Sequence, residues 1–476
     1  MLGWEILNEG DYKLGLPKLS KQEEEMVEIL EERFREAVRS RELKTPEENK
    51  AFIKQLLLGV AEENSLLLEN DQVEYLTEMA YLHIYGFAFM DKLLADQEIE
   101  EISVIGLHKP IYVYVRNQGW KSVNACFTSE KAIADVVNKM ARGLGRHITL
   151  QNPRLDAMLP DGSRLHASLP PVSAGEITIR KFRARPFSPR ELNDLGSTTA
   201  EALAFISLVI QGDNSVIIGG NTGSGKTTLL NALFSFVPAN ERIIIAEETP
   251  EINIPHPHQL RLVANRDMNI TLKDLMYDTL RMRPDRMIVG EVRNKIEFEA
   301  LFDVLLAGQA RGSYATIHAQ GAFEAVQRMK SFGVNDMDLN AIDCLVIQRR
   351  MLVYDPKKRK NTEIRRMTEI AEVGDKLNIV FSFDPHTRKL KFRKSEKLLE
   401  KTANAFDMSL KELKQEWDER KKSIEKAPSA FLDFFNEFQQ KMYNVGEQTN
   451  EQKQTDGQKQ KIEQKKEEKN ASKKHR

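Results

Sequence analysis

Val27, Leu30, Phe34 and Val38 fall three or four residues apart, and Ser20 and Glu23 form a capping box just ahead of them, a pattern that predicts an amphipathic helix. Thr45, Pro46 and Glu48 repeat the start signal before a second apolar run at 52–60, so the first hundred residues read as helices. The period then drops to two at 102–105 and 111–115, on either side of His108-Lys109-Pro110, which predicts a strand pair. A helix near 130–144 and a strand near 176–182 extend that pair into a small α+β unit. Pro186 and Pro189, set among Arg183, Arg185 and Arg190, break the periodicity and mark a linker at 184–197.

Beyond the linker, helical and strand patterns alternate: helix 200–211, strand 215–219, helix 226–236, strand 242–246, helix 271–282, strand 286–290, helix 295–307, strand 313–317. Such alternation predicts a largely parallel sheet covered by helices. After Asp343 the pattern changes to successive strands at 345–354, 364–373, 379–383 and 389–392, a hairpin-rich addition followed by helices over 396–441. The expected division is a helical region 1–94, an α+β domain 95–183, the linker, an α/β core 198–373, a hairpin and helical extension 374–445, and a tail 446–476. The last 26 residues carry nine Lys or Arg, five Asp or Glu and almost nothing apolar, the composition of a disordered segment.

Composition narrows the classes. Of 476 residues 41% are hydrophobic and 30% charged, apolar enough for two or three cored domains. Lys plus Arg (70) against Asp plus Glu (71) leaves a net charge of -1, which argues against a whole-molecule electrostatic grip on nucleic acid. Cys126 and Cys344 form no C-x-x-C pair, so neither a disulfide framework nor a cysteine zinc site is expected, and a reducing, cytoplasmic setting fits. The longest near-continuous apolar run, 202–210, falls short of the roughly 18 residues that cross a bilayer. The amino terminus lacks the basic start and apolar core of a secretory signal, so a soluble intracellular protein with no direct membrane span is expected.

The strongest chemical signal is Gly220-Asn221-Thr222-Gly223-Ser224-Gly225-Lys226-Thr227, followed by Thr228: a complete G-x-x-x-x-G-K-[ST] phosphate loop between a predicted strand and a predicted helix. Its glycines let backbone N–H groups surround phosphates, Lys226 reaches the β and γ oxygens, Thr227 offers a hydroxyl to Mg²⁺, and the helix adds its positive end. Three further strands of the same repeat end in polar groups: Glu247-Glu248, Glu291 and His318. Ligands of parallel α/β sheets sit outside the carboxyl ends of the strands, so these groups are expected to converge beside the loop. A carboxylate there holds Mg²⁺ through water or orients an attacking water, and an imidazole contacts the terminal phosphate.

These motifs resemble the type II/type IV secretion ATPases, the traffic ATPases of pilus assembly, archaellum assembly and secretion. Four motifs match in order: the Walker A loop, an acidic box at Glu247-Glu248-Thr249-Pro250-Glu251, a Walker B stretch from Leu280 to Arg293, and a histidine box from Gly312 to Ala319. Upstream, Asp161-Gly162-Ser163-Arg164 and Ile179-Arg180-Lys181-Phe182 extend the likeness to roughly residues 95–373. The resemblance implies a RecA-like P-loop NTPase core joined to a mobile N-terminal domain, a hexameric ring, ATP and Mg²⁺ as ligands, and a membrane-embedded platform protein as partner. It implies a place at the inner face of the cell membrane when assembled. It gives catalytic roles to Glu247, Glu248, Glu291 and His318, with Glu291 reaching Mg²⁺ through water. It brings Arg164 and Arg180 to the nucleotide phosphates and matches Arg283 and Arg293 to arginines flanking the Walker B strand.

Glu248 stands where the family usually has Asp, and Gly308-Gln309 where its histidine box usually opens Gly-His. Without paired C-x-x-C motifs the likeness runs closest to archaeal-type pilus and archaellum motors, with tight-adherence pilus and conjugation-type ATPases as competitors. A nucleic-acid translocase built on the same core is the rival from another class, and a nucleotide-binding scaffold with little turnover is a third. His256-Pro257-His258 is read as a loop rather than a metal site, and Phe431, Phe434, Phe435 and Phe438 as local helix packing.

Overall fold

The computed structural model describes residues 2–38, 45–116, 118–181, 185–265, 268–308, 310–356 and 359–444. Gln309 and the tail at 446–476 lie outside the described residues. The chain separates into two compact units, Met1–Ala184 and Arg185–Arg476.

The first unit opens with strand β1 (Trp4–Ile6) and helices α1 (Lys21–Val38), α2 (Pro46–Glu63), α3 (Asn70–Ile84) and α4 (Met90–Ala95). The capping box is formed, with the Ser20 N–H donating to Glu23 and the Glu23 N–H to the Ser20 hydroxyl, and Thr45 caps α2. Val27, Leu30, Ile53, Leu57 and Leu76 turn inward from three helices and are fully buried. The chain continues through β2 (Ile99–Ile105), β3 (Tyr112–Val115), β4 (Gly119–Ser122), β5 (Ala125–Phe127), α5 (Glu130–Ala141), β6 (Arg154–Met158), β7 (Arg164–Ser168) and β8 (Glu176–Arg180). Six of these strands form an antiparallel sheet in the order β4-β3-β2-β8-β7-β6, and β1 pairs with β5. Alternation puts Ile102, Val113, Leu165 and Ile179 on the buried face and leaves Arg164 and Arg180 exposed.

The second unit runs α6 (Pro189–Asp194), α7 (Ala200–Gln211), β9 (Val216–Gly220), α8 (Lys226–Leu233), β10 (Ile243–Glu247), β11 (Gln259–Val263), α9 (Leu272–Thr279), β12 (Arg286–Val292), α10 (Lys295–Ala307), β13 (Gly312–Ile317), α11 (Ala322–Ser331), α12 (Asp336–Leu339), β14 (Cys344–Asp355), β15 (Lys360–Glu372), β16 (Asn378–Asp384), β17 (Lys389–Phe392), α13 (Leu398–Ala405), α14 (Leu410–Lys426) and α15 (Phe431–Tyr443). Its nine strands lie in the order β11-β10-β12-β13-β9-β14-β15-β16-β17. The first six are mutually parallel and the last three antiparallel. Near-continuous apolar strands such as Ile243-Ile244-Ile245 and Val216-Ile217-Ile218 are buried on both faces, as a helix-covered parallel sheet requires. The hairpin strands expected after Asp343 grow out of this sheet: Leu345, Val346 and Ile347 are wholly buried because β14 lies beside β9.

The carboxy-terminal helices pack on the same core. Trp417 lies against Phe205, Phe381 and Phe392 and donates its indole N–H to the Glu201 carbonyl at 2.8 Å. Phe434 and Phe438 cover Phe236. At the start of β12, Arg286 is buried and bonded to Glu241 (2.6 Å), to Asp213 (2.8 Å) and to the Ile210 carbonyl. No described helix is long and apolar enough to cross a membrane.

Candidate nucleotide site

β9 is flanked by β13 on one side and β14 on the other, so the loop leaving it emerges between the ends of both. That loop, 221–225, turns the chain from strand into α8 with Gly223 and Gly225 at φ of +71° and +91°, conformations open to glycine. Gly220 is excluded from bearing a side chain by proximity: a Cβ there would fall 2.3 Å from the Gln348 carbonyl and 2.4 Å from Ser224 Oγ. Asn221 uses both halves of its amide on β14, donating to the Arg350 carbonyl (3.1 Å) and accepting from the Arg350 N–H (2.9 Å). Ser224 Oγ is buried inside the loop with no hydrogen-bond partner among the described residues.

The strand ends bring the predicted acids beside this loop. A bulge in β12 against β13, between Val289 and Val292, breaks the ladder where Glu291 leaves the sheet. Thr316 holds that bulge by donating to the Gly290 carbonyl at 2.6 Å. Lys226 Nζ, at the start of α8, lies 3.3 Å from Glu291 Oε1 and 3.2 Å from the Gly220 carbonyl. His318 Nε2 stands 2.9 Å from the same Glu291 oxygen. Arg293 grips the other oxygen of Glu291 (2.7 Å) and reaches Glu248 with Nη1 (2.6 Å). Glu291, Lys226, His318, Arg293 and Glu248 thus form one connected cluster.

Burial opposes ionisation of Glu291, but Lys226, Arg293 and His318 outweigh it and hold its pKa below the usual carboxylate value. Burial and the Lys226 charge together lower His318, with Glu291 opposing them.

Glu247 behaves differently. It ends β10 with its side chain buried, and Oε1 accepts the N–H groups of Glu251 (2.8 Å) and Ile252 (2.9 Å), which folds the acidic box back on itself. Its other oxygen lies 3.3 Å from Arg261 Nε and has no hydrogen-bond partner among the described residues. Burial dominates and pushes its pKa up to about 7. The folded box carries Glu251 to Thr227, whose hydroxyl donates to Glu251 Oε2 at 3.0 Å.

Arg164 and Arg180 belong to the first unit, where they face each other directly across β7 and β8. Arg283 lies at the opposite end of β12 from Glu291, exposed, with a left-handed φ of +50°. His256 is buried and lowered to about 4 by burial, while His258 Nε2 meets Arg242 at 2.8 Å. No group of three or more His, Cys, Asp or Glu arranged for a metal occurs among the described residues.

Sequence reasoning assigned no role to Glu251, Arg261 or Arg350. Glu251 was visible within the acidic box, but its reach to Thr227 depends on the fold of that box. Arg261 and Arg350 sit on strands far along the chain, and only the strand order makes them neighbours of the site.

A family model described as type II/IV secretion system protein matches residues 86–422. An uncharacterized protein of Methanocaldococcus jannaschii is 34% identical over 260 residues, covering 48% of this chain and 36% of that protein. The match to a second one from that organism covers 52% of its length, so the chain spans about a third to a half of these two relatives. The type IV secretion system protein VirB11 of Bartonella quintana is 28% identical over 330 residues, 56% of this chain and 91% of that protein. The X-ray structure of the Legionella pneumophila ATPase DotB aligns at 18% identity with a TM-score of 0.46, over 70% of this chain and 87% of that one. With the family model matching well over half of its residues, from the amino-terminal unit through the whole phosphate-loop core, this chain belongs to the type II/IV secretion system protein family.

Proposed function

We propose that this chain is a P-loop ATP hydrolase that serves as the cytoplasmic motor of a type II/IV secretion, pilus or archaellum machine. The observation that carries the reading is the cluster in which the loop lysine, Lys226, meets Glu291 and His318 at the carboxyl ends of adjoining strands. A lysine cation and a strand-end carboxylate at that spacing fit a triphosphate and its attacking water. Lys226 and the loop N–H groups would take the β and γ oxygens, and Glu291 would orient the water against the γ-phosphorus. As the phosphorus–oxygen bond to the leaving group breaks, ADP and inorganic phosphate form, with His318 beside the phosphate. Glu248, tied to Glu291 through Arg293, keeps that arginine aimed across the site. Glu247 shapes the acidic box and presents Glu251 to Thr227.

The donor set suits Mg²⁺: the Thr227 hydroxyl and the Glu251 carboxylate are hard oxygens 3.0 Å apart beside the loop. Thr227 would hold the ion and Glu291 would reach it through water. When bound, Mg²⁺ neutralises charge on the transferring phosphate.

In this reading Arg164 and Arg180 add charge to the nucleotide from the amino-terminal unit, subunits assemble as a hexamer, and ATP-driven closure performs work on a membrane platform protein. Like charges directly opposite on neighbouring strands are unfavourable, so the paired guanidinium groups suit a bound anion. The near-neutral composition disfavours a nucleic-acid translocase. The test is Mg²⁺-dependent phosphate release by the purified chain and by Lys226→Ala. Release by the parent and loss in the variant are expected; equal release from both would overturn the proposal.

A further inference from the structure

Where β9 ends, β14 continues. The last parallel partners are Gly220 and Gln348, and Arg350 follows two residues later, with β15 on one side of it and the phosphate loop in place of β9 on the other. The Asn221 amide clasps the Arg350 backbone from both sides, as a neighbouring strand would. The Arg350 side chain is thereby directed onto the crown of the loop: a Cβ built on Gly223 would lie 3.0 Å from Arg350 Nη1 and 3.8 Å from its Cζ. Gly223 therefore leaves space that a guanidinium occupies.

Like charges gather around Arg350. Arg350 faces Arg365 directly across the β14–β15 ladder, and Arg349 faces Arg366 in the adjoining register. Two successive like-charge pairs oppose hairpin formation. Glu363 serves both members of the first pair, at 2.6 Å from Arg350 Nη2 and 3.4 Å from Arg365 Nη2. The Arg350 side chain remains 38% exposed, so an incoming ligand has access to it. From Arg349 to Arg366 the sequence holds eight Lys or Arg against Asp355 and Glu363, in a chain whose net charge is -1.

We propose that Arg350 is a nucleotide-binding residue supplied by the hairpin of the same core unit, gripping the nucleotide's phosphate chain from the β14 side of the loop while Lys226 acts from the β12 side. Glu363 is the carboxylate that holds the guanidinium until the anion arrives, and the nucleotide competes with it for Arg350. This rests on the nucleotide reading above and adds a residue that no motif of the sequence marks. A guanidinium suits the task because its planar fork donates two hydrogen bonds to one phosphate or bridges two oxygens, and the Asn221 clasp positions it in advance.

The test is calorimetric titration of ADP with Mg²⁺ into the full chain, at two salt concentrations. Arg350→Gln is expected to weaken binding about tenfold and to flatten the salt dependence, as loss of one charge-assisted contact predicts. Glu363→Gln is expected to tighten binding, because the competing carboxylate is gone. A tighter Glu363→Gln separates a ligand contact from a structural brace, since breaking a brace from either side would weaken binding alike. Arg350→Lys, which keeps the charge, should recover part of the affinity and guards against misfolding of the glutamine variant. Unchanged affinity in Arg350→Gln, or equal weakening in Arg350→Gln and Glu363→Gln, would overturn the inference while leaving the nucleotide reading intact. Absence of ADP binding by the parent chain would overturn both.

Discussion

Lys226 Nζ stands 3.3 Å from Glu291 Oε1, so the cation of the phosphate loop is held by a carboxylate from a strand two places away in the sheet. The same carboxylate oxygen is 2.9 Å from His318, and the other oxygen is held by Arg293. One anion thereby keeps a lysine, an imidazole and a guanidinium together where a polyphosphate would otherwise be needed to do so. Lys226 is nearly buried, and an ammonium group in that position without a counter-charge is costly. A phosphate entering the loop would supply that counter-charge in place of Glu291 and leave the carboxylate available to a water molecule.

Stability should depend on pH through Glu247. Its folded pKa of about 7 lies above the value of 4.5 expected for an exposed glutamate, so the folded protein holds a proton that the unfolded chain has lost between those limits. The resulting stabilisation is complete below about pH 4.5 and gone above pH 7. Glu247→Gln imitates the protonated acid and should be more stable than the parent at pH 8, by up to about 3 kcal/mol. Urea unfolding without nucleotide at pH 8 and pH 4.5 measures both ends. A stability difference that does not change with pH would refute this assignment.

The buried Arg286 offers a separate check on the fold. Removing it leaves Glu241, almost wholly buried, to the half-exposed Arg311. Arg286→Ala should cost about 3–5 kcal/mol in chemical unfolding. Five residues of strand place it roughly 16 Å along β12 from Glu291, so nucleotide affinity per folded molecule should be preserved. A loss below about 1 kcal/mol would mean that Arg311, whose Nη2 reaches Glu241 by itself, carries the ion pair.

For the first unit, the relevant pair is Arg164 and Arg180. Changing both to Ala should lower ATP turnover sharply and ADP affinity much less, because the γ-phosphate adds acceptor charge while Lys226 remains. Because the two guanidinium groups face each other across the ladder, losing both should leave melting unchanged or slightly raised. Parent-like turnover in the double variant would show that they are ordinary surface charges.

Much of the core was legible in the chain because local rules dominate there. The phosphate loop needs glycine at fixed places, buried parallel strands need unbroken apolar runs such as Ile243–Ile245, and α1 announces itself with Ser20 and Glu23. Glu291 and His318 could be nominated because each ends an apolar strand. The short exposed strand β11 had no such run and escaped notice, as did the β6–β7 hairpin. Partnerships were harder to see than residues. That Glu251 reaches Thr227, or that Arg350 lies on Gly223, follows from the fold of the acidic box and from β14 lying beside β9. Neither relation leaves a periodic trace, since the residues concerned are separated by 24 and 127 positions.

Glu291→Gln tests the central claim most directly. The amide keeps the shape of the side chain but can neither orient water as a carboxylate does nor hold the Lys226 charge. The variant should bind ATP at least as tightly as the parent, since Lys226 is released to the phosphates, while single-turnover phosphate release falls by at least about a hundredfold. Tight ATP binding with turnover cut at least about a hundredfold is the predicted result. Hydrolysis at the parent rate, or loss of ATP binding itself, would contradict the pairing of Lys226 as the phosphate-binding cation with Glu291 as the group that orients water.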